Sequence, residues 1–205
     1  MTASEAQSLL IQTANQLGTR GWLRATSGNL SVRIADNPLT MAITRSGSDK
    51  QSLQVDDVIG ISQKHVIWGN GRPSAETGIH EAIYTRTESG AVLHVHTVFN
   101  NLASIGPQGG HLRLTGSEML KALGYWGEDA VCDLPVIPNY ADLDRLSATA
   151  LAAIDPSVPG LLIQGHGVYA FGDDIQTAVR HLEALEFLFE WLYYQQLGNP
   201  ARLVL

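Results

Sequence analysis

Two histidines stand two residues apart in Leu93-His94-Val95-His96-Thr97, inside an otherwise apolar run. In a β-strand, side chains at i and i+2 share a face, so this spacing projects His94 and His96 together while Leu93, Val95 and Thr97 face the other way. A third histidine, His166, sits between Gly165 and Gly167 just after the apolar run 161–163. Flanking glycines let the backbone turn tightly and carry a lone histidine to another element. Each histidine alone also fits a plainer role, lining a polar groove or bonding to backbone in a turn. Together, three neutral imidazoles that leave coordination positions open are a catalytic zinc arrangement, with one Zn2+ per chain expected. Such an ion would act as a Lewis acid on a bound oxygen.

A metal that stabilises charge on oxygen still needs a group to move the proton. Glu76, in RPSAETGIH, and Glu118, in TGSEMLKAL, stand in suggestive contexts. Each also fits a helix N-terminus, whose positive end favours a carboxylate, and spacing does not choose between base and cap. Three turns rich in Ser and Gly, ATSGNLS, TRSGSDK and GRPSAE, offer hydroxyls and backbone N–H groups of the kind that cradle phosphate, with Asn29 adding an amide and Lys50 and Arg72 nearby as cations. His80 reads either as an outer contact of the site or as an ordinary partly buried histidine. His65, His111 and His181 read as surface or core.

The elements that must hold these groups follow from periodicity. Residues 3–18 place Ala6, Leu9, Leu10, Thr13, Ala14 and Leu17 at helical spacing. Leu30, Val32 and Ile34 alternate with polar residues as a strand does, TMAITRSG predicts a second strand, and HVIWGNG another that ends in the Asn70-Gly71 turn. A helix is expected from Ser74, a buried strand over GAVLHVHT, a helix over 98–105, and a helix within TGSEMLKALGYWG capped by Thr115 or Ser117. Pro135 and Pro138 mark a strand or loop before the helix DLDRLSATALAAI. GLLIQGHGVYAFG predicts two short strands, and a long helix runs from about Asp174 to Gln196. Helices and strands alternate irregularly, which predicts a layered α/β or α+β domain.

The 205 residues, 44% hydrophobic, suffice for one core and one domain. A formal charge of -7, with scattered basic residues, argues against nucleic acid or an anionic membrane as partner. Cys132 is the only cysteine, so no intrachain disulfide forms and a reducing cytoplasm is the natural compartment. MTASEAQSLL does not read as a signal peptide, and no run of 18 apolar residues is present.

In order, SGNLS, TRSG, PSAE, VLHVHT and LLIQGHGVYAFG with its following helix resemble the zinc-dependent class II aldolase/adducin family, from the first helix to about Leu197. The resemblance implies an α/β, three-layer αβα fold with a central mainly antiparallel sheet, forming a single catalytic domain over 1–205. It implies zinc on His94, His96 and His166, and a small-molecule sugar phosphate held by Ser27, Gly28, Asn29, Ser46, Gly47 and Ser74. Within the family, GRPSAETGIHEAIY with LTGSEMLKAL resembles members that remove water from a ketose phosphate. In those members a glutamate matching Glu118 is the acid/base, whereas in the aldolases that role falls to one matching Glu76. Both are present here, so Glu118 is expected to move the proton. Glu76 is then an additional base, a metal-proximal carboxylate or a substrate contact. Cleavage of a ketose 1-phosphate by an aldolase is the alternative, and an adducin-like interaction module without chemistry the second. Family members are commonly homotetramers with active sites near subunit boundaries, and the apolar ARLVL end reads as interface or frayed terminus.

Overall fold

The computed structural model describes residues 1–107 and 109–198. The ARLVL segment lies outside them. Helix α1 (Ala3–Thr19) opens on a capping box in which the Thr2 hydroxyl and the Glu5 carboxylate each accept the other's backbone N–H. Its apolar stripe, Ala6, Leu10, Ala14 and Leu17, is fully buried. Strands β1 (Asn29–Asp36), β2 (Leu39–Thr44), β3 (Val58–Ser62) and β4 (His65–Trp68) form an antiparallel meander. Helix α2 (Thr77–Arg86) leads to β5 (Ala91–Val95), then α3 (Val98–Ser104), β6 (His111–Thr115), β7 (Val131–Ile137) and α4 (Leu143–Ala153). The hairpin β8 (Gly160–Ile163) and β9 (Gly167–Gly172) and the long α5 (Ile175–Leu197) complete the described chain.

The strands make one nine-stranded sheet in the order β4-β3-β2-β1-β5-β9-β8-β7-β6, in which β7 and β8 alone pair in parallel. Leu93 and Val95 face α1 and α5, joining Leu10, Leu182, Leu185 and Phe189. Val92, Tyr169 and Phe171 face α2 and α4, joining Ile79, Ile83, Leu146 and Ala150. Both faces are covered, which is the expected three-layer αβα arrangement with a mainly antiparallel sheet.

Three local expectations differ from the structure. The helix expected from Ser74 begins at Thr77, because the Ser74 carbonyl accepts both the N–H and the hydroxyl of Thr77 and closes a turn. The EMLKAL segment is a 3-10 helix (Glu118–Leu123) capped by the Ser117 hydroxyl, with Leu120 and Leu123 buried, and ends at Gly124. Strands β3 and β6 were not legible from alternation: β3 is apolar on both faces, and β6 is a sheet edge held to β7 with Arg113 paired to Asp133.

Candidate metal centre

Strand β5 delivers the first ligand and the residue after its end the second. His94 is fully buried, and its Nδ1–H donates to the Val168 carbonyl of neighbouring β9 at 2.9 Å, so Nε2 presents its lone pair inward. The ring stacks on Tyr169 with centroids 3.9 Å apart and an interplanar angle of 10°. Nε2 of His96 lies 2.7 Å from Nε2 of His94. His166 arrives from the β8–β9 turn, with Nδ1 towards Asn139 and Nε2 2.8 Å from Oε1 of Glu76. The other carboxylate oxygen of Glu76 lies 3.4 Å from Nε2 of His94. One ligand atom each from Glu76, His94, His96 and His166 falls within 4.8 Å of the others.

Gly167 makes this convergence possible. A Cβ there would lie 2.5 Å from the Val95 carbonyl oxygen, 2.8 Å from the His96 ring and 2.9 Å from the His94 ring. Gly28 plays the same part on the other flank. It has φ +77°, and a Cβ would meet the His94 carbonyl oxygen at 2.6 Å.

The electrostatics suit a cation. Burial holds His94 well below the ordinary histidine range and pushes His96 down to about 4, outweighing the nearby Glu76 charge, so both rings are neutral at pH 7. Burial alone would raise the carboxyl of Glu76. The hydrogen bonds from His166 and the Asn29 amide, with the neighbouring imidazoles, overcome it and hold Glu76 well below the usual carboxylate range. Once the protons now shared between His96 and His94 and between His166 and Glu76 are released, three imidazole nitrogens and one carboxylate would fit zinc, whose sites take such ligands in tetrahedral geometry. The Tyr169 hydroxyl, buried beneath this cluster, faces Glu76 but makes no well-formed hydrogen bond among the described residues. Burial, and then the charge of Glu76, keep it protonated.

The expected phosphate set lies beside the cluster on three loops that are tied together. The Asn29 amide, opposite His94 in the β1–β5 register, donates to Oε2 of Glu76 at 2.7 Å and to the Ser74 hydroxyl at 3.1 Å. The Ser46 N–H donates to the Arg72 carbonyl at 3.0 Å. Lys50 is buried, and its ammonium joins the Thr26 carbonyl at 3.2 Å to the Ser48 carbonyl at 3.0 Å, linking the loop of Ser27 and Gly28 to that of Ser46 and Gly47. Ala25 and Thr26 both adopt positive φ, a conformation costing roughly 1 kcal/mol or more for each such residue. The Lys50 bond to Thr26 helps to hold it.

Glu118 stands apart. Its side chain is 87% exposed and pairs with Lys121 at 2.5 Å, lining a separate pocket with Ser117, Lys121 and Tyr125. A cavity of about 420 Å³ borders His96 and is lined by Trp22, Val98, Phe99 and Phe187, with the Arg20–Glu183 ion pair also in its wall.

Sequence reasoning missed Glu186. This residue of α5 is buried, accepting from the Thr97 hydroxyl at 2.6 Å and the Asn100 amide at 2.8 Å. It thereby anchors the segment that follows His96. Its one signal is an acidic residue beside the apolar stripe of a long helix.

The layered fold that positions this cluster has counterparts among known proteins. The chain belongs to the class II aldolase and adducin family, matching the Class II Aldolase and Adducin N-terminal domain over residues 8–193. It is 46% identical over 191 residues to the methylthioribulose-1-phosphate dehydratase of Persephonella marina, covering 92% of this chain and 89% of that one. It is 42% identical over 199 residues to the protein of the same name from Geobacillus kaustophilus, covering 94% and 95%. Among solved structures, L-fuculose-1-phosphate aldolase from Thermus thermophilus superposes with a TM-score of 0.75 at 23% identity, covering 97% of this chain and 99% of that one. That likeness speaks for the fold.

Proposed function

We propose that this chain is a methylthioribulose-1-phosphate dehydratase, a lyase that removes water from 5-methylthioribulose 1-phosphate to give 2,3-diketo-5-methylthiopentyl 1-phosphate in methionine salvage. The observation that carries the reading is identity of 39–46% along about nine-tenths of the chain to proteins of that name. The metal cluster supports it by supplying the chemistry such a reaction needs.

We assign zinc to His94, His96 and His166, with Glu76 alongside. Held there, zinc would withdraw electron density from the C2 carbonyl and C3 hydroxyl of the ketose, acidifying the C3 hydrogen and stabilising the charge that develops on oxygen. Glu76 is held against His94 and His166, beside the metal ligands. Its part is to complete the negative wall of the cluster. Glu118 takes the C3 proton. The C4 hydroxyl then leaves as water on receiving a proton, and the enol formed across C3–C4 tautomerises to the diketone.

Because Glu118 lines a different pocket in its own chain, it would act on a neighbouring copy, so we assign a homotetramer with active sites at subunit boundaries. The Ser27–Asn29, Ser46–Gly47 and Ser74 loops receive the phosphate. The cavity bordered by Trp22, Phe99 and Phe187 reaches His96 and offers apolar surroundings for the methylthio end. Among the described residues no helix is long and apolar enough to cross a membrane, and we assign the protein to the cytoplasm.

The test is incubation of zinc-loaded protein with 5-methylthioribulose 1-phosphate and identification of the products. A diketone without a small aldehyde is expected. Dihydroxyacetone phosphate with an aldehyde would instead establish aldol cleavage, and no turnover would point to a non-catalytic module.

A further inference from the structure

We propose that His80 is a positioning residue. Through a buried hydrogen-bond chain it holds the plane of the Asn29 amide and so makes the Ser74 hydroxyl a dedicated donor to an anionic phosphoryl oxygen. The proposal rests on the phosphate reading of the Ser74 loop.

The direction follows from donor and acceptor chemistry. An ionised Glu76 only accepts, so the Asn29 amide atom 2.7 Å from it is the nitrogen. The amide oxygen therefore faces His80, whose Nε2 must carry a hydrogen to donate to it. A neutral ring then has a bare Nδ1, and the Ser31 hydroxyl, 2.7 Å away, donates to it. With its single proton committed, the Ser31 oxygen accepts from the Tyr84 hydroxyl at 2.8 Å. The chain runs one way, from Tyr84 through Ser31, His80 and Asn29 to Glu76 and Ser74. Its four inner members are buried, so water does not substitute for a lost link.

The consequence falls on Ser74. Its Oγ accepts from the Asn29 amide at 3.1 Å and from the Glu76 N–H at 3.3 Å. Both lone pairs are engaged by donors, and its proton is left for a ligand. Without the His80 N–H, Glu76 still keeps the amide nitrogen of Asn29 but nothing holds the plane of the amide, so its second N–H swings away from Ser74. A freed lone pair then lets the Ser74 hydroxyl turn, and its proton is no longer aimed at the ligand.

The experiment uses inorganic phosphate as a competitive inhibitor of the zinc-loaded enzyme, with KM for the phosphorylated substrate and zinc content measured alongside. His80→Leu should weaken phosphate and raise KM about tenfold, the scale of one hydrogen bond to a charged group, with zinc content unchanged. His80→Gln, which retains a donor at the ring's far end, should recover most of the loss. Ser74→Ala should weaken phosphate by a similar factor, and His80→Leu added to it should cost little more. Should His80→Leu not fold, Tyr84→Phe, which removes the first donor of the chain, should weaken phosphate by a smaller factor that Ser74→Ala likewise abolishes. Unchanged inhibition in the His80 and Tyr84 variants, or losses that multiply in the double variant, would overturn the proposal. A wild-type enzyme insensitive to phosphate would instead sink the phosphate reading, and this proposal with it.

Discussion

Nε2 of His166 lies 2.8 Å from Oε1 of Glu76, and the same carboxylate reaches towards His94, so Glu76 bridges two of the three imidazoles. The bridge joins the turn between β8 and β9 to the end of β5. The cluster is therefore a tie across the centre of the sheet, and its members do different work.

His96 contributes one of three nitrogens, so His96→Ala should abolish most zinc binding and turnover together. Elemental analysis of protein purified without chelator measures the first and product formation the second. Full zinc retention would remove His96 from the ligand set.

Glu118→Gln should leave zinc in place and lower kcat roughly 100-fold, the ordinary scale of general acid–base catalysis. Glu76→Gln should chiefly weaken zinc. Mixing His96→Ala with Glu118→Gln chains should restore up to about a quarter of wild-type activity, since random assembly in a cyclic oligomer gives that fraction of intact sites. A mixture as inactive as its components would mean that each site draws both residues from one chain.

Burial raises the carboxyl of Glu186 to about 7, against the lowering effect of its bonds to Thr97 and Asn100. Between about 4.5 and 7 the folded chain then holds a proton that the unfolded chain has lost, so stability falls as pH rises through that window. Glu186→Gln removes the penalty. Urea unfolding should find it more stable than wild type by on the order of 2 kcal/mol at pH 8, with the gain vanishing towards pH 4.5. An equal gain at both pH values would mean that Glu186 is ionised throughout.

The Tyr169 hydroxyl is a buried donor that faces the Glu76 carboxylate without a well-formed hydrogen bond to any described residue. Tyr169→Phe keeps the stack on His94 and should stabilise the metal-free protein by about 1 kcal/mol, the cost of such a group. Thermal unfolding measures this, and a loss of stability would reveal a partner for the hydroxyl.

Trp22→Ala opens the apolar wall beyond His96. It should raise KM for the methylthio substrate several-fold while leaving inhibition by inorganic phosphate unchanged. An equal loss for both ligands would remove the tail from this cavity.

The histidine geometry was legible because a period of two is rigid: His94 and His96 share a face wherever that segment is extended. Glu76 could be singled out but not placed. Its nearness to His94 depends on Asn29 standing opposite His94 in the β1–β5 register, which no local pattern encodes. The edge strand β6 was lost because its partner, β7, lies well downstream and its own side chains are largely exposed. Glu186 was opaque, and His80 stood between two readings, for a related reason. A polar residue on a helix becomes meaningful only when a distant element supplies its partner, Thr97 in one case and Ser31 in the other.

Strand β9 places its carbonyl at Val168 under His94 and carries the turn that holds His166. A nascent chain that has emerged only as far as α4 thus possesses two imidazoles but neither the clamp on the first nor the third. The set of four groups is therefore complete only once the β8–β9 hairpin lies between β5 and β7 in the middle of the sheet.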